Sequence, residues 1–461
     1  MRKREFTLYI QDAKHSLQLA LPYIASKIIN RSSGFMATLF TARLGQDSLA
    51  AIAISLRLYI IVAIFLTGFT DAISVLVSHH YGARQLKGIS ISSAQGLLLA
   101  LFLSVPIIIL FYYSAPLLKW GHLSSAVINL SIPYLHVLGW CLVPAQILNT
   151  YEALLIGLGK TRLVLLISIL QVPFEILFIY VFVFGKLGLP ACGLQGTAYG
   201  YLTIYILSAI LISIVFHSSQ LGHRYSVFKH LFPFNKKYLL EIIRLGAPMG
   251  VMKTLELSAI TVLVFMLGYF GSDVLAAHQI AWQYFIVMLG VVFGFSQTTS
   301  VRIGHYVGMN KKTAIKRTFQ TNMILSVMAA CFFALCYLAF SKWMIAIDLN
   351  LHDPRNANLI HYAKIFLMIS GIGLIFNSVG FIAMGGLRGL KDTRIPLILS
   401  VISFWGAGLF FAYYFAFKLH LGGVGVWLGF TAGIIIYAII MLYRFNHLFK
   451  RINLSTLLMH E

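Results

Sequence analysis

Lys253 and Glu256 stand three residues apart in GVMKTLELSAIT, Gly250 to Thr261, inside a long apolar stretch. On a helix that spacing puts a base and an acid on one face, about one turn apart. Glu256 lies 11 residues past Leu245, where the apolar run begins. At about 1.5 Å per residue this is roughly 16 Å in, near the middle of a bilayer core of about 30 Å. An ionised carboxylate at that depth is costly unless it is paired or hydrated. A carboxyl that gains and loses a proton as its surroundings alternate is what proton-coupled exchange needs; a structural ion pair with Lys253 is the plainer role. Lys27 holds the corresponding place early in the chain, and Arg31 follows it by four residues. Like charges at that spacing repel, so the two need a counter-charge, for which Asp71 and Glu175 are the deep acids expected in the same half. Lys27, Arg31 and Lys253 then serve a charge cluster, a substrate contact or, for the lysines, a snorkelling stem.

The elements that carry these residues are apolar. The chain has 461 residues, 59% hydrophobic and 10% charged, with mean hydropathy +0.86, against about 25% charged in soluble domains. This is an all-α polytopic membrane protein. Twelve spans are expected, at 17–43, 49–80, 89–116, 124–149, 162–185, 193–217, 245–270, 274–304, 315–345, 360–386, 394–417 and 424–446. The net charge of +22 does not imply nucleic acid, because the bases crowd short loops. With both termini inside, the inner segments hold 23 Lys and Arg, Arg388 among them, and the outer loops 6. That bias predicts cytoplasmic termini in a cell (inner or plasma) membrane. Six further bases, Lys27, Arg31, Arg57, Lys253, Arg302 and Lys364, fall within spans. The basic start is followed by too long an apolar run for a cleaved signal. Asp47 and Asp273 each precede a helix and read as N-caps. The four cysteines form no CxxC pair and are expected as small packing residues.

The halves repeat. Offset by 226, residues 19–82 give 17 identities in 64 positions, with Pro22 on Pro248, Lys27 on Lys253, Gly45 on Gly271 and His79 on His305. An offset of 232 sets GLGKTR at 157–162 on GLKDTR at 389–394. The expected organisation is an N-lobe at 1–217, a basic cytoplasmic linker at 218–244 and a C-lobe at 245–461. Six spans per repeat makes the repeats parallel, related by an axis along the membrane normal, with a central cleft suited to alternating access.

LGQDSLAAIAIS at 44–55, HYGARQ at 80–85, EALLIGLGKTR at 152–162, GSDVLAAHQIA at 271–281, SVRIGHYVGMNKK at 300–312 and GGLRGLKDTRIPL at 385–397 occur in order along nearly the whole chain. Together they resemble the MATE (multidrug and toxic compound extrusion) family, in its NorM/DinF-like branch. The resemblance implies export of amphipathic small molecules in exchange for H⁺ or Na⁺, no cofactor, a membrane-lipid environment and a monomer. It implies coupling roles for Glu256, matching the acid of the seventh span, and for Asn377, where an Asp is usual in the tenth. Gln171 and Glu175 match two polar positions of the fifth span, and Ala37 stands where the first usually has Asp. Gln279, in AAHQIA, belongs with the cleft residues Gln171, Lys253, Lys27 and Arg31. Two carboxylates usual in the family are missing, and Asn377 favours H⁺ over Na⁺, since a Na⁺ site has there lost a charged oxygen ligand.

Two other functions compete with this one. The cations Lys27, Arg31, Arg57 and Lys253 would suit a flippase for a lipid-linked polar headgroup. A membrane enzyme lacks support, as no HExxH, GxSxG or paired-Asp motif lies at bilayer depth. No His has a second ligand at metal spacing, so no metal site is expected.

Overall fold

A chain in lipid must satisfy its own backbone hydrogen bonds, which leaves helices as the solution for long apolar runs. The computed structural model describes residues 2–121, 124–225 and 227–457, and among the described residues it contains helices and turns but no strand. The long helices are α1 (Arg2–Ala42), α2 (Gln46–Gly82), α3 (Leu86–Tyr112), α4 (Ser125–Gly157), α5 (Thr161–Phe184) and α6 (Leu194–Ser218). The second series is α7 (Lys236–Tyr269), α8 (Ser272–Gly308), α9 (Lys312–Asp348), α10 (Ala357–Gly389), α11 (Arg394–Lys418) and α12 (Gly422–Arg451). Eleven of these, α2 to α12, are long and apolar enough to cross a membrane. The 41-residue α1 fills the place of the first expected span, with Lys27 and Arg31 interrupting its apolar run.

The repeat is written in the backbone. α2 and α8 have 37 residues each, and their ends differ by 226 (272 − 46 and 308 − 82). α4 and α10 have 33 residues each, offset by 232 (357 − 125 and 389 − 157). Turn geometry repeats with them. Gly45 and Gly271 precede their helices at φ +104° and +105°, a region closed to most L-residues. Arg84 and Asn310 match at φ +60° and +55°, as do Gly159 and Lys391 at +74° and +59°. The glycines, not Asp47 and Asp273, are the N-caps. The two aspartates fall in the first turn, where a negative charge meets the positive end of the helix dipole.

The described residues form two compact units, one of residues 25–250 and one of residues 251–457 together with 2–24. Each therefore takes part of α1 and part of α7, and the crossing points, after Ile24 and Gly250, lie 226 apart (250 − 24). Pro22 and Pro248 stand two residues before them, each removing one intrahelical hydrogen bond. In the 25–250 unit, Gly68 of α2 lies against Gly246 and Gly250 of α7. In the other, the repeat-equivalent Gly294 of α8 lies against Ile24 of α1. That unit closes with the α11–α12 hairpin, in which Gly425, Gly429 and Gly433 ride on Ala416, Ala412 and Gly408. This is small-residue packing of the kind that lets helix backbones approach in lipid. α11 also has two π-helical stretches, Ile402–Gly408 and Tyr414–Lys418.

Candidate functional site

Glu256 projects from α7 in the unit that begins at 251. Its Oε1 is buried with no hydrogen-bond partner among the described residues, and Lys253 and Arg388 act on it electrostatically. Lys253 is its neighbour one turn back on the same helix. Arg388 comes from the last turn of α10, only 5% exposed, with Nη2 donating to Ser296 Oγ of α8 at 2.8 Å. Tyr437 of α12, fully buried, couples electrostatically to both Glu256 and Arg388. Arg388 is thus not the loop residue that GGLRG suggested. α10 runs through those glycines to Gly389 because they pack closely, Gly385 against the Ser296 backbone and Gly389 against Ile303. Asn377 is buried three turns earlier on α10, and among the described residues no hydrogen bond joins it to Glu256. Gln279 is exposed near the start of α8. His278 beside it is buried, lining a small apolar pocket with Leu263, Leu267, Trp282, Trp427 and Phe430.

The same unit holds an ion-pair cluster that sequence reasoning missed. Asp12 of α1, 3% exposed, pairs with Arg302 of α8 and Arg317 of α9. Arg302 Nη1 also donates to the Asp12 carbonyl at 2.7 Å and to Ser16 Oγ at 2.6 Å. Asp12 lies in a basic leader-like stretch, and its only signal was the four-residue spacing to Ser16, one face of a helix.

In the 25–250 unit Glu175 of α5 is buried. Ser33 Oγ of α1 donates to its Oε1, and Gln171 Nε2 donates to its Oε2 at 3.3 Å. Tyr59, Tyr201 and Tyr205 lie within electrostatic reach. Ala37, one turn after Ser33, is fully buried in the apolar cluster that includes Tyr201 and Tyr59. The acid of this half is therefore carried by α5 and held from α1.

Lys27 has a counter-charge on α4. Its Nζ lies 3.5 Å from Glu152 Oε2 of α4, an acid the sequence did not single out for it. Glu152 sits just before the GLGKTR turn, and α4 continues to Gly157 and buries it. Asp71 of α2 is half-buried, while Arg31 and Arg57 are exposed. Gln171, Glu175 and Ser33 are brought together, and, separately, Lys27 and Glu152.

The MatE family model matches residues 22–181 and again 248–414, two segments whose starts differ by the 226-residue offset of the repeat (248 − 22). A probable multidrug resistance protein NorM of Synechocystis is 30% identical over 442 residues, covering 95% of each chain. One of Rhizobium meliloti is 30% identical over 439 residues, covering 95% of this chain and 94% of that protein. Among solved structures, an outward-facing multidrug resistance MATE family transporter of the MOP superfamily superposes with TM-score 0.86 at 20% identity. The superposition covers 97% of this chain and 96% of that one. A MOP superfamily transporter from Pyrococcus furiosus, described as having a binding pocket of reversed polarity, gives TM-score 0.84 at 19% identity, covering 97% and 96%.

Proposed function

The chain belongs to the MatE family, and from that premise we propose that it is a multi-pass membrane transporter that exports amphipathic small molecules in exchange for protons. Relatives named as multidrug resistance proteins along 95% of the chain support multidrug efflux. The observation that carries the coupling is Glu256, a carboxyl with one oxygen buried and unbonded among the described residues, yet acted on by Lys253 and Arg388. Opposite charges favour its ionised form when water reaches it, and desolvation favours the neutral form when water is expelled. Both forms are then accessible in a cycle. Protons are preferred over Na⁺ as coupling ion because two cations act on Glu256 and the neutral Asn377 stands where the resemblance leads one to expect an Asp. We place the protein in the cell membrane with both termini cytoplasmic, from the 23-to-6 distribution of Lys and Arg.

The test is dye efflux from proteoliposomes under an imposed pH gradient, and separately under an imposed Na⁺ gradient. Glu256→Gln should reduce pH-driven efflux to the level seen without a gradient, while membrane insertion stays intact. Efflux at the wild-type rate in that variant removes Glu256 from the coupling role and leaves Glu175 to take it.

The flippase reading rested on a surplus of deep cations. Lys27 is paired with Glu152, which offsets one of those cations. Drug susceptibility of a sensitive host expressing the chain separates the two readings, since only an exporter raises the tolerated dose.

A further inference from the structure

The linker between α6 and α7 displays two aromatic rings that the 25–250 unit does not cover. Phe232 and Phe234 are 67% and 64% exposed, with ring centroids 5.2 Å apart in an edge-on pair. They lie outside any helix that could cross a membrane, so burial in the span does not account for them. Their display is built. Gln95 of α3 is fully buried, and its Nε2 donates to the carbonyls of His230 (2.8 Å) and Leu231 (3.3 Å). Its Oε1 accepts from the backbone N–H of Asn235 at 3.1 Å. Asn235 in turn caps α7, its Oδ1 accepting from Tyr238 N–H at 3.3 Å, and Tyr238 is itself buried and stacked on His80 of α2. One side chain thus pins the backbone on both flanks of the Phe232–Phe234 hump.

The surroundings of the hump state what it meets. Lys229, Lys236 and Lys237 are exposed on either side of it. Within the next two turns of α7, Leu240 and Ile243 are exposed, the beginning of the apolar surface that this span turns to lipid. Aromatic rings beside lysines, next to the mouth of an apolar span, have the chemistry of the headgroup boundary. We propose that this hump is a lipid-binding wedge. Phe232 and Phe234 enter the leaflet at the level where α7 begins, and Lys229, Lys236 and Lys237 hold the phosphates of anionic phospholipids. The occupant is the bilayer rather than a protein, because the lysines complement anionic headgroups and the apolar surface runs on into the span. Each basic residue close to an anionic surface strengthens association about fivefold, so three give roughly a hundredfold. The proposal stands whether or not the transport reading holds, since it needs no substrate.

The experiment is backbone hydrogen exchange on the full chain in nanodiscs of phosphatidylcholine alone, or of phosphatidylcholine with phosphatidylglycerol. Exchange across 229–240 should slow by tenfold or more when phosphatidylglycerol is present, with peptides around Gln95 unchanged as a check that the fold is intact. The triple variant Lys229→Gln, Lys236→Gln, Lys237→Gln should lose that dependence on lipid charge. Phe232→Ser with Phe234→Ser should exchange fast in both membranes, and Phe232→Leu with Phe234→Leu should keep the protection. Equal exchange in the two membranes overturns the proposal and leaves the aromatic pair to a protein contact. Unchanged protection in the serine variant overturns it as well, since the rings would then not be what enters the leaflet.

Discussion

Asp12 shows how much one buried charge can hold together. It is nearly inaccessible and lies between Arg302, whose side chain is also buried, and Arg317, which reaches solvent. Removing one partner of a buried pair strands the other charge and costs about 3–5 kcal/mol. Asp12→Asn should lower the stability of the detergent-solubilised protein by that much, read from denaturant or thermal unfolding. Adding Arg302→Met to Asp12→Asn should recover most of the loss, because no buried charge is then left unpaired. Unfolding of Asp12→Asn together with the wild type would show that water already reaches Arg302. Sequence alone pointed to Glu256, Glu175 and Lys27 because charges in oil are conspicuous by type. It did not point to Asp12, Glu152 or Arg388, because each lies where the hydropathy pattern stops and a loop looks natural. What buries them is the continuation of α1, α4 and α10 past the apolar run, which in α10 close glycine packing permits. The partner of Lys27, Glu152, is one of these.

Among the elements, the repeat was the most legible feature. Identities at offsets of 226 and 232 anticipated helix ends that agree to the residue in α2 with α8 and in α4 with α10. The π-helical stretches of α11 left no such mark, since they add a residue to a turn without changing residue type. Their setting is the close contact of α11 with α12. A Cβ on Gly433 would stand 2.7 Å from Gly408 Cα and 2.9 Å from the Ser403 carbonyl oxygen, backbone on both counts. Gly433→Ala should therefore cost about 1–3 kcal/mol, the usual range for overpacking. Gly406, on the π-helical stretch itself, has nothing within 4 Å of its would-be Cβ. Gly406→Ala should be neutral or stabilise by up to about 1 kcal/mol, since alanine narrows the unfolded ensemble. The two substitutions add the same methyl group to the same hairpin, so thermal unfolding of the pair isolates the contact. Equal midpoints would mean that α11 and α12 are not pressed together at Gly433.

At the scale of the whole chain, the two halves share a backbone plan and not a chemistry. The repeat equivalent of Glu256 is Asn30, that of Glu175 is Ala407, that of Glu152 is Met384 and that of Arg388 is Ile156. Lys27 and Lys253 do correspond, yet the first meets Glu152 while the second faces Glu256 along its own helix. Each unit thus holds a deep carboxyl in a different shell. Glu175 accepts hydrogen bonds from neutral donors, Ser33 and Gln171, whereas Glu256 is offset by two cations. Neutral donors stabilise a carboxylate through short hydrogen bonds, whereas cations act on it through their charge. We therefore expect the halves to fail differently. Under imposed pH gradients of graded size, Glu175→Gln should lower the maximal efflux rate and keep its dependence on the gradient. Glu256→Gln should leave a slow efflux that no gradient accelerates. The reverse pattern, gradient dependence lost in Glu175→Gln and kept in Glu256→Gln, would assign proton exchange to the neutral shell around Glu175. Lys253 and Arg388 would then be partners that hold Glu256 permanently ionised.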